Sequence, residues 1–117
     1  MDLKFSPKDN NVFASASLDK SIRLWNLMSD KSNITLKGHS KGVNCIDFYK
    51  GDWPLLISGG DDFKVIIWDI SSKSIIRSLK HHEGNVIDVL FFNKIPLFSS
   101  LSEDGKLNFY GTKNFEF

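Results

Sequence analysis

The stretch that decides the fold is GGDDFKVIIWD, residues 59–69. Two glycines and two aspartates open it, an apolar run follows, and Trp68-Asp69 closes it. Paired aspartates can form a metal site or an acid–base pair. They can also lie in a hairpin turn that needs a side-chain acceptor for its backbone N–H groups. The rest of the chain decides between these interpretations, because Asp62 stands six residues before a large ring and this spacing occurs again.

The spacing repeats with a period of 42 or 43 residues. Asp19 precedes Trp25 by six residues, and Asp104 precedes Tyr110 by six. A serine stands ten residues before each of the three rings: Ser15, Ser58 and Ser100. Phe5, Phe48 and Phe91 keep the same period, as do His39 and His82. A period of this length is typical of repeat architectures in which each repeat is one supersecondary unit.

Each repeat contains short strand-like segments separated by turn residues. In the second repeat we predict strands over Val43–Phe48, Leu55–Ser58, Lys64–Trp68 and Ser74–Leu79. β-Branched and aromatic residues dominate these segments, and no helical period persists. Runs that are apolar on both faces indicate burial between stacked sheets. We therefore predict an all-β fold in which residues 1–117 form part of a β-propeller, with blades at about 1–37, 38–80 and 81–117.

The strand count predicts an open arc of about three blades. The third repeat supplies three strands, and the position equivalent to Leu36 and Leu79 would follow Phe117, so its outer strand is missing. Propellers typically have four to eight blades, so three cannot close a ring. We expect an apolar face of the last blade to be exposed. The residues that we expect to line it are Val86, Val89, Phe91, Phe98 and Leu107.

Composition excludes several classes of protein. Fifteen Lys and Arg balance fourteen Asp and Glu, so no net field favours nucleic acid or an anionic membrane. The single Cys45 excludes an internal disulfide and fits a reducing compartment. No apolar run approaches the roughly 18 residues of a membrane span. We expect a cytoplasmic location, no nucleic-acid partner and no small-molecule substrate.

The sequence resembles the WD-repeat family at Gly38-His39, Ser58, Asp62 and Trp68-Asp69. The resemblance implies that His, Ser, Asp and Trp form a hydrogen-bonded structural tetrad inside each blade. It assigns His39, Ser58, Asp62 and Trp68 to one tetrad; Ser15, Asp19 and Trp25 to another, whose His would precede Met1; and His82, Ser100, Asp104 and Tyr110 to a third. The third repeat departs from the pattern, with His81-His82 for Gly-His and Tyr110-Gly111 for Trp-Asp, so a phenol would replace the indole donor.

The same residue types could also support chemistry. Ser, His and Asp make a hydrolase triad, but a catalytic set has no reason to recur in the next repeat, and the G-x-S-x-G elbow is absent. Asp61-Asp62 lacks further oxygen ligands at loop spacing. Adjacent residues of a strand point to opposite faces, which disfavours a metal site at 81–83. We expect no catalytic residue, no metal and no cofactor.

Three stretches also resemble consecutive repeats of the coatomer beta-prime family: PKDNN (7–11), FASASLD (13–19) and KGVNCIDFY (41–49). This resemblance implies a protein-binding scaffold of the COPI vesicle coat, which assembles on Golgi membranes and returns cargo towards the endoplasmic reticulum. The implied partners are other coatomer subunits and the dilysine signals of cargo tails, with peripheral membrane association through the coat. A scaffold of another complex, such as a ubiquitin-ligase adaptor or a signalling subunit, is the alternative.

Partner contacts can be predicted only from position. The family's cargo-reading residues lie mostly in earlier blades, so none is carried over to this chain. The loops before the first strands and the acids beside the hairpin aspartates should share one end of the blades. The candidates there are Lys41, Asn44, Asp61, Asn85 and Glu103.

Overall fold

The computed structural model describes residues 2–9, 11–28, 34–51, 53–92 and 97–111, which form three antiparallel sheets without a helix. The first sheet contains β1 (Asp2–Phe5), β2 (Val12–Ala16), β3 (Ser21–Asn26) and β4 (Ile34–Lys37). The second contains β5 (Val43–Phe48), β6 (Leu55–Gly60), β7 (Val65–Asp69) and β8 (Ser74–Leu79). The third contains β9 (Val86–Phe91), β10 (Leu97–Ser102) and β11 (Leu107–Gly111). Within each sheet, strands that are consecutive in the chain pair with each other, which confirms the predicted all-β fold of propeller blades.

The hairpin between the second and third strands is built in the same way in every sheet. The aspartate of the turn accepts the N–H of the residue two positions later, so Asp62 binds the backbone of Lys64 over 3.1 Å. Asp19 does so for Ser21 and Asp104 for Lys106. The residue that follows each aspartate adopts a left-handed backbone conformation. Its φ is 77° at Lys20, 69° at Phe63 and 83° at Gly105. The side-chain acceptor holds a turn that is strained for the two non-glycine residues.

Two apolar layers hold the three sheets together. The first lies between the first and second sheets and is formed by buried residues that include Ala14, Leu24, Phe48 and Trp68. The second lies between the second and third sheets and includes Ile57, Ile67, Phe91 and Phe98. Strands β6 and β7 are buried on both faces, because they contribute to both layers. The second sheet is therefore the centre of the core, as its continuous apolar runs predict.

The prediction about the exposed face of the last blade is wrong for four of its five residues. Val86, Val89, Phe91 and Phe98 are at most 2% exposed, because they pack against the second sheet. Leu107 points to the opposite face and is 53% exposed. Side chains alternate between the two faces of a sheet, and Val89, Phe91 and Phe98 share the face that is turned to the second sheet, so the exposed face is the opposite one. Leu101 and Phe109 accompany Leu107 on the exposed face.

Two aspartates link the first strands of adjacent sheets. Asp2 of β1 accepts the backbone N–H of Ile46 in β5 over 3.2 Å. Asp47 of β5 accepts the N–H of Phe91 in β9 over 2.7 Å. First strands have an edge without a partner strand, so their N–H groups need other acceptors. The carboxylates of Asp2 and Asp47 are these acceptors, and they fix the position of each sheet relative to the next.

Candidate functional site

The polar cluster of the second sheet joins four side chains from separate segments. His39 precedes β5 and directs Nδ1 at both carboxylate oxygens of Asp62, at 3.0 and 2.9 Å. Its Nε2 lies 2.7 Å from the Ser58 hydroxyl in β6. Trp68 of β7 donates its indole N–H to the same hydroxyl over 2.8 Å. The strand register sets this geometry, since Leu56 faces Trp68 and Ser58 lies two residues further along β6.

The donors and acceptors of this cluster form one consistent chain. Since an ionised carboxylate only accepts, the Nδ1 of His39 carries the proton and donates it to Asp62. The Nε2 then accepts from the Ser58 hydroxyl, which leaves the Ser58 oxygen free to accept from Trp68. Burial lowers the pKa of His39, against the opposing effect of the Asp62 carboxylate. The imidazole is therefore held in its neutral form.

The distances between Ser58, His39 and Asp62 are those of a hydrolase triad, but these side chains lack the solvent access that a catalytic triad needs. The Ser58 side chain has 0% exposure, His39 has 5%, and the hydroxyl oxygen already accepts from Trp68. A nucleophile must reach a substrate carbonyl, and the Ser58 side chain is fully buried. The arrangement can stabilise the blade by satisfying buried polar groups, but it cannot attack a substrate as it stands.

The third sheet repeats most of this arrangement. His82 places Nε2 2.7 Å from the Ser100 hydroxyl and Nδ1 3.3 Å from Asp104. Asp104 also accepts the N–H groups of Glu83 and Lys106 over 2.9 and 2.8 Å. These backbone hydrogen bonds, with that of Glu83 first, lower the pKa of Asp104 to about 2. The carboxylate thus anchors both the hairpin and the loop that carries His82.

The predicted role of Tyr110 in this cluster is wrong. Its hydroxyl lies 3.3 Å from His81 Nδ1 and 3.3 Å from the Asn108 side-chain amide, and its ring stacks on Phe98. A phenol carries its O–H at the far end of the ring, whereas an indole carries its N–H beside the point of attachment, so Tyr110 reaches past Ser100. Asn108, which the sequence did not single out, occupies the space with its amide 3.4 Å from His82 Nε2.

The first sheet contains only part of the cluster. Trp25 donates to the Ser15 hydroxyl over 3.0 Å, as Trp68 does to Ser58. Asp19 is exposed and accepts from the hydroxyl and N–H of Ser21, and its carboxylate lies 3.3 Å from Arg23. The Ser21 hydroxyl is the main cause that lowers the pKa of Asp19. Asp19 therefore supports the hairpin and does not contact Ser15 or Trp25.

The five candidate contact residues lie at the same end of the sheets as the hairpin aspartates. Asn44 donates to Asp61 over 2.7 Å and also to the backbone carbonyl of Val86 in the next sheet over 3.0 Å. Backbone hydrogen bonds of 2.9 Å join Asp61 to Gly42 and Glu103 to Asn85. Lys41 and Glu103 are exposed, and Asn44, Asp61 and Asn85 are half-buried. This end is thus a polar surface that carries charges of both signs, on which Asn44 holds the Asp61 carboxylate in place.

Sequence reasoning missed Asp47, which is only 5% exposed although it is charged. Its carboxylate accepts from the backbone of Phe48 and Phe91 and from the Lys50 ammonium, over distances of 2.7–3.1 Å. A signal was available, because Asp47 stands between Ile46 and Phe48 and is the one charged residue of its strand. A buried charge in such a strand needs hydrogen-bond donors or an opposite charge beside it.

Three further features of the described residues concern what a metal site, a membrane span and a substrate pocket require. No group of three or more His, Cys, Asp or Glu is placed to hold a metal ion among them. Nor does any helix in the described ranges have the length and apolar character to cross a membrane. An apolar cleft of about 200 Å³ opens at the opposite end of the sheets from the hairpin aspartates, between Tyr49, Trp53, Pro54 and Ile70. It lacks the convergent polar groups that orient a small-molecule substrate.

Antiparallel sheets stacked in sequence, each with a His–Ser–Asp cluster or part of one, define a set of WD-repeat propeller blades. The family model described as WD domain, G-beta repeat, matches residues 1–26 and 30–69, and the chain belongs to this family. The third sheet lies outside the matched residues, in keeping with its departures at His81, Asn108 and Tyr110.

Curated relatives that resemble this chain include coatomer beta' subunits. Coatomer subunit beta'-2 of Arabidopsis thaliana is 48% identical over 97 residues, which cover 82% of this chain and 10% of that protein. The probable coatomer subunit beta' of Schizosaccharomyces pombe is 40% identical over 116 residues, 98% of this chain and 15% of the relative. Coatomer subunit beta' of Rattus norvegicus is 46% identical over 116 residues, which cover 98% of this chain and 13% of that protein. The resemblance drawn from residues 7–11, 13–19 and 41–49 is thereby confirmed. The chain spans between 10% and 15% of the length of these relatives.

Proposed function

We propose that this chain is a protein-binding scaffold segment of coatomer beta' type that acts in the COPI coat. Its setting is the cytosolic face of Golgi membranes and COPI-coated vesicles, in Golgi-to-ER and intra-Golgi transport. Its partners are other coatomer subunits and the dilysine tails of cargo proteins. The observation that carries the proposal is the identity of 40–48% to three coatomer beta' subunits over 82–98% of the chain.

The buried clusters support a scaffold role because they make the blades rigid. Among the described residues, every buried side-chain nitrogen or oxygen has a hydrogen-bond partner. A fully satisfied polar network fixes one packing arrangement, which keeps the loops around it in place. The clusters lie beside the hairpins that carry Asp61 and Glu103, so they hold the candidate contact surface. Partner binding on such a rigid surface avoids the cost of ordering loops.

The charges at this end suit a lysine-bearing peptide. Asp61 and Glu103 are carboxylates at repeat-equivalent positions, one in each of two adjacent blades. Asp61 is held by Asn44, so its position is fixed before a peptide arrives. Ammonium–carboxylate pairs at a surface are individually weak, at about 0.2–1 kcal/mol. Recognition by two such pairs is therefore of modest affinity and strongly dependent on salt.

The test is a fluorescence anisotropy titration of this chain with a labelled peptide that ends in a dilysine signal. The matched control peptide carries alanine at both lysines. We expect binding of the dilysine peptide that weakens with added salt, and weaker binding by the Asp61→Asn and Glu103→Gln variants. Lys41→Ala, which removes a cation from the same surface, should not weaken it. Equal binding of both peptides would overturn the cargo role and leave a general WD-repeat scaffold.

A further inference from the structure

Asn44 stands at an irregularity in the pairing of the second sheet. Val43 of β5 faces Gly60 of β6. The next pair of the ladder is Cys45 with Gly59, so Asn44 between them is the extra residue of a β-bulge. A bulge turns its side chain away from the regular alternation of the strand, and bulges are common beside binding sites. The irregularity explains how the Asn44 side chain reaches the neighbouring sheet.

The side-chain amide of Asn44 has both of its hydrogens engaged. Its Nδ2 lies 2.7 Å from Oδ1 of Asp61, in the hairpin that follows β6. The same nitrogen lies 3.0 Å from the carbonyl oxygen of Val86, in the first strand of the third sheet. A carboxylate and a carbonyl oxygen can only accept, so the NH₂ end of the amide faces them and donates one hydrogen to each. Asn44 is therefore held at two points that belong to different sheets.

Asp61 is fixed through its backbone as well as through its side chain. Its N–H donates to the carbonyl of Gly42 over 2.9 Å, and Asn44 binds one of its carboxylate oxygens. The residue is half-buried, and its second oxygen, Oδ2, has no hydrogen-bond partner among the described residues. A carboxylate that is oriented in advance and keeps one oxygen unpaired is suited to accept a primary ammonium group.

Glu103 provides an internal comparison, because it stands at the equivalent position of the third sheet. Its N–H donates to the carbonyl of Asn85 over 2.9 Å, as the N–H of Asp61 does to the loop before β5. The register of β9 and β10 shifts at the same place, so Ile87 is the residue equivalent to Asn44. Ile87 has no donor to offer, so nothing at this position holds the exposed Glu103 carboxylate. One of the two acids is thus oriented by its neighbour and the other is not.

We propose that Asn44 is the positioning residue of an ammonium site whose acceptor is Asp61, and that Asp61 contributes more to binding than Glu103. This site rests on the proposed function, in which a lysine-bearing peptide binds at this end of the sheets. Ordering a side chain at the moment of binding lowers affinity, and Asn44 orders the Asp61 carboxylate beforehand. Glu103 contributes its charge without a fixed orientation.

The experiment is a double-mutant cycle on the whole chain, followed by fluorescence anisotropy with the labelled dilysine peptide. Asn44→Ala should weaken binding about two- to tenfold, the range expected when one more side chain must be ordered on binding. The same change in an Asp61→Asn background should have no further effect, because the carboxylate that Asn44 orients is then absent. Asp61→Asn should also weaken binding more than Glu103→Gln, and the reverse order would contradict the assignment.

The matched control is Asn11→Ala, which removes an amide from the exposed turn at the opposite end of the sheets and should leave binding unchanged. A purely structural role for Asn44 gives a different result. Loss of its hydrogen bond to Val86 would then loosen the contact between two sheets, and binding would fall by the same factor with and without the Asp61 carboxylate. An equal loss in both backgrounds, or an unchanged affinity for Asn44→Ala, would overturn the proposal.

A second peptide separates the ammonium site from the cargo role. It carries the same two lysines away from its C-terminus, which is amidated. Equal binding of both lysine peptides, with equal sensitivity to Asn44→Ala, would contradict recognition of cargo tails and support the ammonium site. A preference for the dilysine tail without any effect of Asn44→Ala would support the cargo role and overturn the ammonium site. Lack of binding by either lysine peptide would overturn both.

Discussion

The indole N–H of Trp68 and the hydroxyl of Ser58 are joined over 2.8 Å at the centre of the second sheet, where both side chains are at most 1% exposed. The hydroxyl is both acceptor and donor, because it accepts from Trp68 and donates to the Nε2 of His39, which lies 2.7 Å away. In the third sheet Ser100 contacts His82 in the same way, but no indole donates to it. Ser58 therefore satisfies two buried groups and Ser100 satisfies one buried ring, with Asn108 close to that same ring nitrogen.

Ser58→Ala should lower the free energy of unfolding more than Ser100→Ala. The first change leaves both the Trp68 N–H and the His39 Nε2 without a partner, and the second removes one partner of His82. At about 1–3 kcal/mol for each buried group left unsatisfied, we expect a loss of about 2–6 kcal/mol for Ser58→Ala and about 1–3 kcal/mol for Ser100→Ala. Urea denaturation followed by tryptophan fluorescence measures both. Equal losses would show that the Trp68 hydrogen bond contributes nothing.

Tyr110→Phe should change stability by less than about 0.5 kcal/mol, the range of substitutions away from buried networks. The hydroxyl that it removes makes two hydrogen bonds of 3.3 Å, one of them to the exposed His81, while the stacking of the ring on Phe98 is kept. Trp68→Phe is the matched change in the second sheet and should cost several times more, since it removes a buried donor and leaves a cavity. A large loss for Tyr110→Phe would restore the phenol to the buried cluster.

The fold could be predicted from the sequence because the same pattern of Ser, Asp and a large ring occurs three times at a fixed spacing. Asp62 predicted the hairpin correctly, since the turn needs a side-chain acceptor at a fixed position. Tyr110 misled because spacing carries no information about how far a side chain reaches. The exposed face of β9–β11 was assigned to the wrong residues because a list of apolar residues in order does not show to which face each points. The charge of Asp47 within its strand was a local signal, but its partner Phe91 lies 44 residues away and could not be identified from the sequence.

Acidification should destabilise the protein in two separate ranges. The pKa of His39 is lowered from 6.5 by burial, so the unfolded chain takes up this proton first, and stability falls as the pH drops below about 6.5. The pKa of Asp104 is lowered from 3.8 to about 2, so its contribution is complete above 3.8 and disappears as the pH falls towards 2. Urea denaturation at a series of pH values from 8 to 2 measures both ranges.

Single substitutions assign the two ranges. His39→Gln should remove the dependence below pH 6.5, and Asp104→Asn should flatten the dependence below pH 4. Each variant should keep the range that belongs to the other residue. Stability that rises on acidification from pH 7 to pH 5 would contradict the neutral, buried state of His39.

Cys45 should be unreactive in the folded protein and reactive on unfolding. The thiol is 2% exposed between the second and third sheets, and burial raises its pKa well above the ordinary value, so little thiolate forms. Alkylation by iodoacetamide at pH 8, followed by mass spectrometry, should give no modification without urea and complete modification in it. Modification of the folded chain at the rate of a free thiol would show that the second and third sheets separate readily.

Asp47→Ala should weaken the contact between the second and third sheets more than Lys50→Ala. The carboxylate accepts the Phe91 N–H over 2.7 Å and the Phe48 N–H over 3.1 Å, and both donors lose their acceptor when it is removed. Hydrogen bonds to a charged group contribute about 1.5–3 kcal/mol, so we expect a loss in that range. Lys50→Ala leaves these bonds intact and removes a partly exposed ion pair and a hydrogen bond to the Phe48 carbonyl, which should cost less than the loss for Asp47→Ala. Hydrogen exchange followed by mass spectrometry should show faster exchange in the β9 segment for Asp47→Ala than for Lys50→Ala, because the edge N–H of Phe91 then loses the Asp47 carboxylate. Unchanged exchange in β9 for Asp47→Ala would mean that apolar packing alone sets the offset between these sheets.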